Sequence, residues 1–248
     1  MKFLNLEWIF NNPSTFFTFI LALGVIFMNG FTDAPNAIAT TVSTGTLSMN
    51  GACILSAICN FLGISITTLL NMSVARRIFD SASFEKNTNL ALCAVFFSII
   101  LFSTLAWMLA MPSSESHALL GGIAGASMAL SKKFDISPFV KIVIFMIISC
   151  GASFIISIIF GKLFKKIILP YEKLQIASCA TTSFMHGAQD GQKFIGVLMF
   201  LQLSNNSINS DKSILPLVMI VSLTMCVGTL LGGGKIVKSI EKLFLDLI

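Results

Sequence analysis

The chain has 248 residues, of which 55% are apolar and only 11% charged. A soluble domain carries roughly 25% charged residues, so this chain cannot cover a water-facing surface; a soluble enzyme, a secreted disulfide scaffold and a disordered chain are all excluded. The formal net charge of +5 is small, and Lys and Arg lie between apolar runs, which reads as membrane flanking rather than a nucleic-acid surface.

A helix needs about 20 apolar residues to cross about 30 Å of hydrocarbon. Six runs meet that requirement, at roughly 15–40, 50–72, 88–111, 137–160, 174–203 and 214–234. A shorter run at 117–131 predicts a half-length or re-entrant helix. The polar stretches Ala75–Asn89, Ser131–Asp135, Gly161–Lys173 and Ser204–Ser213 separate most runs, and none is long enough for a soluble domain. The first run carries Asp33 and has no small-residue cleavage site before it, so it reads as a span and not a signal peptide. Cys53, Cys59, Cys93, Cys150, Cys179 and Cys226 show no CxxC spacing and read as small packing residues.

Three polar clusters interrupt the apolar runs. In the first, Asn29, Thr32, Asn36, Thr40 and Thr41 surround Asp33, with Gly24, Gly30 and Pro35 weakening the helix. A charge at bilayer depth costs about 2.5–3.5 kcal/mol on insertion scales, and broken backbone there is tolerated only along a cavity. Carboxylate, amide and hydroxyl oxygens suit Na⁺, and the carboxylate could carry H⁺ instead. In the second, Pro112 stops a helix and another begins near Ser113 or Ser114, followed by Glu115, Ser116 and His117. A helix N-terminus with serine hydroxyls is a cradle for an oxyanion; the bland alternative is an ordinary serine cap. In the third, His186, Gln189, Asp190, Gln192 and Lys193 lie among Gly187, Gly191 and Gly196. Asp190 and Lys193 either neutralise each other on intact helix or face the first cluster from a second broken helix, with Lys193 on an anion and Asp190 on a cation. His117 and His186 have no HxxxH or HExxH context, and neither a GxSxG nor a P-loop is present, so no catalytic set competes.

The chain also echoes itself. Asn29-Gly30-Phe31-Thr32-Asp33 resembles His186-Gly187-Ala188-Gln189-Asp190 at an offset of 157, and Thr68-Leu69-Leu70 resembles Thr229-Leu230-Leu231 at an offset of 161. Repeated halves are the usual architecture of secondary transporters. The predicted fold is an all-α polytopic membrane protein, an inverted-repeat secondary transporter with broken helices and a re-entrant hairpin. One transmembrane transport domain covers 1–248: a first repeat at about 15–131, a linking span at about 137–160 and an incomplete second repeat at about 174–248. The offset puts the counterpart of Pro112–His117 beyond Ile248, so the expectation is a chain that is incomplete alone. Positive-inside counting of Arg76, Arg77, Lys162, Lys165 and Lys166 favours an inside N-terminus if 117–131 does not cross; inverted repeats require that it does.

With these motifs in hand, the chain resembles the inorganic phosphate transporter (PiT) family. The resemblance is carried by Asn29-Gly30-Phe31-Thr32-Asp33-Ala34-Pro35-Asn36-Ala37-Ile38-Ala39-Thr40, by the Pro-x-Ser-x-Ser-His-Ala hairpin motif at Pro112–Ala118, and by the second copy His186–Lys193. It implies cation-coupled phosphate uptake through a bacterial plasma membrane, with H⁺ or Na⁺ as coupling ion, no other cofactor, and two re-entrant hairpins around a midplane site. The cation would be held by Asn29, Thr32, Asp33, Asn36, Gln189 and Asp190, with Asp33, Asn36 and Asp190 as the ligands if it is Na⁺. Phosphate would be held by Ser113, Ser114, Ser116, His117 and Lys193. Thr32 and Gln189 stand where many members have Asn and keep an oxygen ligand, whereas Glu115 stands where many have Thr. The expected partners are phosphate, the lipid bilayer, and a second copy or a separate C-terminal segment; nucleic acid is not among them. Two other readings stay open: a sulfate permease of the same fold, and an inactive membrane fragment or subunit.

Overall fold

The computed structural model describes residues 7–10, 12–73, 75, 88–130, 136–164, 170–204 and 214–245. Arg76, Arg77, Lys165 and Lys166, counted above for orientation, lie outside these. Among the described residues every regular element is helical.

A short helix α1 (Glu7–Phe10) precedes α2 (Pro13–Thr32). The Asn12 side chain caps α2 by accepting from the Ser14 N–H at 2.9 Å, and Pro13 occupies the first helical position, where a missing N–H costs nothing. Pro35 then cannot donate to the Phe31 carbonyl, and the chain passes through a turn at Asp33-Ala34 into α3 (Pro35–Ser43). The first bonds after the turn are of the tighter i→i+3 kind, from Asn36 N–H to Asp33 O at 3.0 Å and from Ala37 N–H to Ala34 O at 3.1 Å. Helix α4 (Met49–Leu70) is capped by Ser48, and α5 (Thr88–Met108) leads through Leu109–Ser114 into the shorter α6 (Glu115–Leu130). Next come α7 (Ser137–Phe164), α8 (Tyr171–His186), a π-helical turn at Gly187–Gly191, and α9 (Gln192–Ser204). Finally α10 (Leu215–Leu231) meets α11 (Gly234–Leu245) at a bend of 59°, with Gly233 at φ +97 supplying the left-handed residue the bend needs.

Among the described residues, four helical stretches are long and apolar enough to cross a membrane: 13–43, 49–70, 88–108 and 139–164; the bent α10–α11 pair makes a fifth if counted as one span. The fifth run, at 174–203, is divided by the π turn into helices of 16 and 13 residues. The chain is thus an all-α, multi-pass membrane protein.

Spans in lipid gain little from hydrophobic contact with one another, so close backbone approach and polar bonds hold them together. Helix α2 packs on α5 and α10, α4 packs on α8, the π turn and α10, and α5 packs on α6. The buried stripe of α4 runs Ala52, Ser56, Asn60, Gly63, Ile64 and Thr68, small or polar at most positions. At Gly30 a Cβ would overlap the Met225 carbonyl oxygen of α10, and at Gly187 one would overlap the Asn60 carbonyl oxygen of α4. Glycine is what lets each pair of backbones meet. The first-half helix α2 therefore crosses the second-half helix α10, and the second-half helix α8 crosses the first-half helix α4. Ser183 and Ser56 add a buried hydroxyl pair at 2.9 Å to the second crossing.

Candidate functional site

These crossings bring Asp33, Glu115 and Asp190 together at the junction of α2, α6 and the π turn. The Asn29 amide, fully buried, links the two halves by donating to Asp33 Oδ2 at 3.2 Å and to Asp190 Oδ2 at 3.1 Å. Thr32 donates to Glu115 Oε1 at 2.6 Å. Asp33 also lies close enough to Glu115, the first residue of α6, for the two carboxyl groups to interact electrostatically. Lys193 Nζ, one turn beyond Asp190, donates to Asp190 Oδ1 at 2.6 Å and to Ser116 Oγ at 2.7 Å. His186 lies one turn before Asp190, with its Nε2 3.7 Å from Asp190 Oδ2. One ligand atom each from Asp33, His186 and Asp190 falls within 4.8 Å of the other two.

The electrostatics of this cluster are lopsided. Three carboxyl groups face one ammonium, and both Glu115 and Asp190 are buried. Buried charges need partners. Lys193 serves Asp190, and Glu115 Oε2 has no hydrogen-bond partner among the described residues. Asp33, His186 and Asp190 offer ligand atoms that could hold a cation.

Beside the cluster lies a cavity of about 650 Å³ between α6, α7 and the π turn, lined among others by Ser114, Ser116, His117, Gln189, Asp190 and Lys193. A second cavity of about 570 Å³ adjoins it, and Ser114 and His117 line both. His117 Nε2 lies 2.8 Å from Met146 Sδ of α7, across the first cavity.

The structure therefore gathers most of the expected residues, in two groups. Asn29, Thr32, Asp33 and Asp190 are joined by hydrogen bonds to one another or through Glu115. Ser114, Ser116, His117, Gln189 and Lys193 line the cavity. Two residues stand apart. Ser113 turns its hydroxyl towards Glu115 Oε1, 3.4 Å away, and lines only the second cavity. Asn36 is exposed at the start of α3. The third polar cluster also differs from a chain break: the helix runs on through it as a π turn, which presents Asp190 inward. Two residues of the site escape a sequence reading. Asn60 Oδ1 faces His186 Nδ1 at 2.8 Å as an acceptor, and the Asn60 amide donates to Thr229 Oγ1 at 3.2 Å. The available signal was a lone Asn inside an apolar run, which is costly unless partnered.

The chain matches the phosphate transporter family over residues 29–173 and 169–246. It is similar to a protein of Bacillus subtilis (strain 168) named "Probable low-affinity inorganic phosphate transporter", at 33% identity over 233 residues covering 89% of this chain and 70% of that one. A protein of the same name from Mycobacterium tuberculosis (strain CDC 1551 / Oshkosh) is 30% identical over 241 residues, covering 90% of this chain and 56% of the relative. A "Low-affinity inorganic phosphate transporter" of Buchnera aphidicola subsp. Baizongia pistaciae is 30% identical over 236 residues, or 79% and 46% of the two chains. The chain thus spans about half the length of the latter two relatives. No solved structure matches it. With the family match running from Asn29 through the serine hairpin to the Asp190 cluster and beyond, this multi-pass membrane chain belongs to the phosphate transporter family.

Proposed function

We propose that the chain takes part in moving inorganic phosphate across the membrane, coupled to a cation, H⁺ or Na⁺. The observation that carries this reading is the position of Lys193, whose ammonium bonds Asp190 in the carboxyl cluster and Ser116 at the cavity wall. One side chain thereby joins a cation site to an anion site. A cation arriving at Asp33 and Asp190 competes with Lys193 for the Asp190 carboxylate. The freed ammonium turns to an anion held by Ser114, Ser116, His117 and the N-terminal turn of α6. Phosphate is preferred to sulfate as that anion because the matched relatives carry phosphate in their names.

The crossing of each half by the other, at Gly30 and Gly187, supports the inverted-repeat reading. A second copy or a separate segment with its own serine hairpin is part of the proposal. The cavity is walled on one side by α7, whose most apolar stretch buries none of its residues against the rest of the chain, so that face is open to lipid or to such a partner.

The test is uptake of labelled phosphate into vesicles carrying the purified chain under an imposed proton or sodium gradient. Asp33→Asn and Asp190→Asn are each expected to abolish concentrative uptake while insertion stays intact. Wild-type accumulation by either variant overturns the cation assignment, and equal competition by sulfate overturns the anion preference.

A further inference from the structure

A polar chain crosses three helices behind the carboxyl cluster. Thr229 of α10 spends its hydroxyl proton on the Met225 carbonyl, at 3.0 Å. Its oxygen is then left as an acceptor, and the Asn60 amide of α4 donates to it at 3.2 Å. That fixes which way the amide points: Asn60 Oδ1 faces His186 Nδ1 at 2.8 Å. An amide oxygen can only accept, so His186 Nδ1 must carry the ring proton. In the neutral ring the other nitrogen, Nε2, is then a bare lone pair. It is buried without a hydrogen-bond partner among the described residues, and it lies 3.7 Å from an equally electron-rich atom, Asp190 Oδ2. Two acceptors facing each other with no donor between them are unfavourable unless a positive centre sits there. Asp33 completes the triangle, with ligand atoms within 4.8 Å of one another.

We infer that Asn60 and Thr229 are positioning residues that lock His186 in its Nδ1–H tautomer, and that His186 Nε2 is a third acceptor of the coupling-cation site with Asp33 and Asp190. The inference rests on the transport reading for the word coupling; the tautomer and the acceptor stand on the geometry. Neither Asn60 nor Thr229 touches the cation. Each acts through the imidazole, as outer partners do for ligating histidines generally.

The chain has only two histidines, so His117→Gln leaves His186 as the single histidine signal. The experiment is ¹⁵N magic-angle-spinning NMR of that variant, labelled at histidine, in lipid bilayers. The Nδ1–H form is expected, with Nε2 unprotonated. Adding Thr229→Val is expected to mix the two tautomers, and Thr229→Ser, which keeps the hydroxyl, is expected to retain the first. In vesicles with His117 intact, Thr229→Val is expected to raise the cation concentration for half-maximal uptake roughly fivefold, the scale of one lost neutral hydrogen bond. Its phosphate KM should move less than about twofold, and Thr229→Ser should behave as wild type. An Nε2–H tautomer in the His117→Gln protein overturns the inference, as does a Thr229→Val spectrum identical to the parent. If no vesicle accumulates phosphate, the transport reading fails while the spectra still decide the tautomer.

Discussion

Removing the Lys193 ammonium should separate its structural role from its transport role. In Lys193→Gln, Asp190 keeps the Asn29 amide but loses its ammonium partner at 2.6 Å. Breaking a buried pair from one side costs about 3–5 kcal/mol, because the remaining charge stays buried and uncompensated. The Asp190 side chain is 10% exposed and that of Lys193 is 24% exposed, so water relieves part of the loss and the lower end, about 3 kcal/mol, applies. That corresponds to a folding equilibrium moved by more than a hundredfold. Asp190→Asn should cost a similar amount by stranding the ammonium, although Ser116 still accepts from it. The double variant Asp190→Asn/Lys193→Gln removes both charges and should recover most of the stability, so the coupling energy is large and favourable. Unfolding midpoints in detergent for the four proteins measure the cycle. Uptake into vesicles is expected to be lost in all three variants, the rescued double included. If the double variant regains both stability and uptake, the pair is a structural ion pair only and the proposed exchange of Lys193 between Asp190 and the anion is wrong.

Two further outcomes follow from the same geometry. Replacing Ser113 and Ser114 together by Ala removes the Ser114 hydroxyl that caps the His117 N–H at 3.4 Å and lines both cavities; phosphate affinity is expected to fall at least about tenfold, on the scale of one hydrogen bond to a charged partner, and an unchanged KM for uptake would make these serines helix caps alone. Gly30→Leu drives a side chain into the Met225 carbonyl, so α2 and α10 must separate; overpacking costs about 1–3 kcal/mol or more, read as a lower unfolding midpoint, and a variant as stable as wild type contradicts the close crossing.

The spans were legible because length and apolarity leave few alternatives for such segments. The first break was legible for a chemical reason: Pro35 has no N–H, so the bond to Phe31 cannot form whatever surrounds it. Glycines at 187 and 191 suggested a second break by analogy, but glycine keeps its N–H. The helix there survives as a π turn, with Gly187 serving the close crossing of α4. The direction in which polar side chains turn was not legible. Ser113 and Ser116 both belong to the hairpin motif, yet one faces Glu115 and the other Lys193. That difference is set by what α2 and the π turn bring to each side of α6. Asn60 was hidden for the same reason, since its two partners lie 126 and 169 residues away.

Glu115 shows how these levels connect. In sequence it is a carboxylate among serines expected to hold an anion, which is an electrostatic contradiction. In the structure its carboxyl points away from the 650 Å³ cavity's lining and into the cluster with Thr32 and Asp33. Only its backbone contributes to the start of α6. The third carboxyl therefore adds to the cation side of the site and not to the anion side. On the proposed reading this fixes an order of events. Until a cation offsets the surplus of carboxyl groups, Lys193 is held by Asp190 and the cavity presents hydroxyls without a free positive charge. A dianion entering then would meet no free positive charge, with Lys193 already spent on Asp190. Cation first and anion second is the sequence that the placement of Glu115 favours.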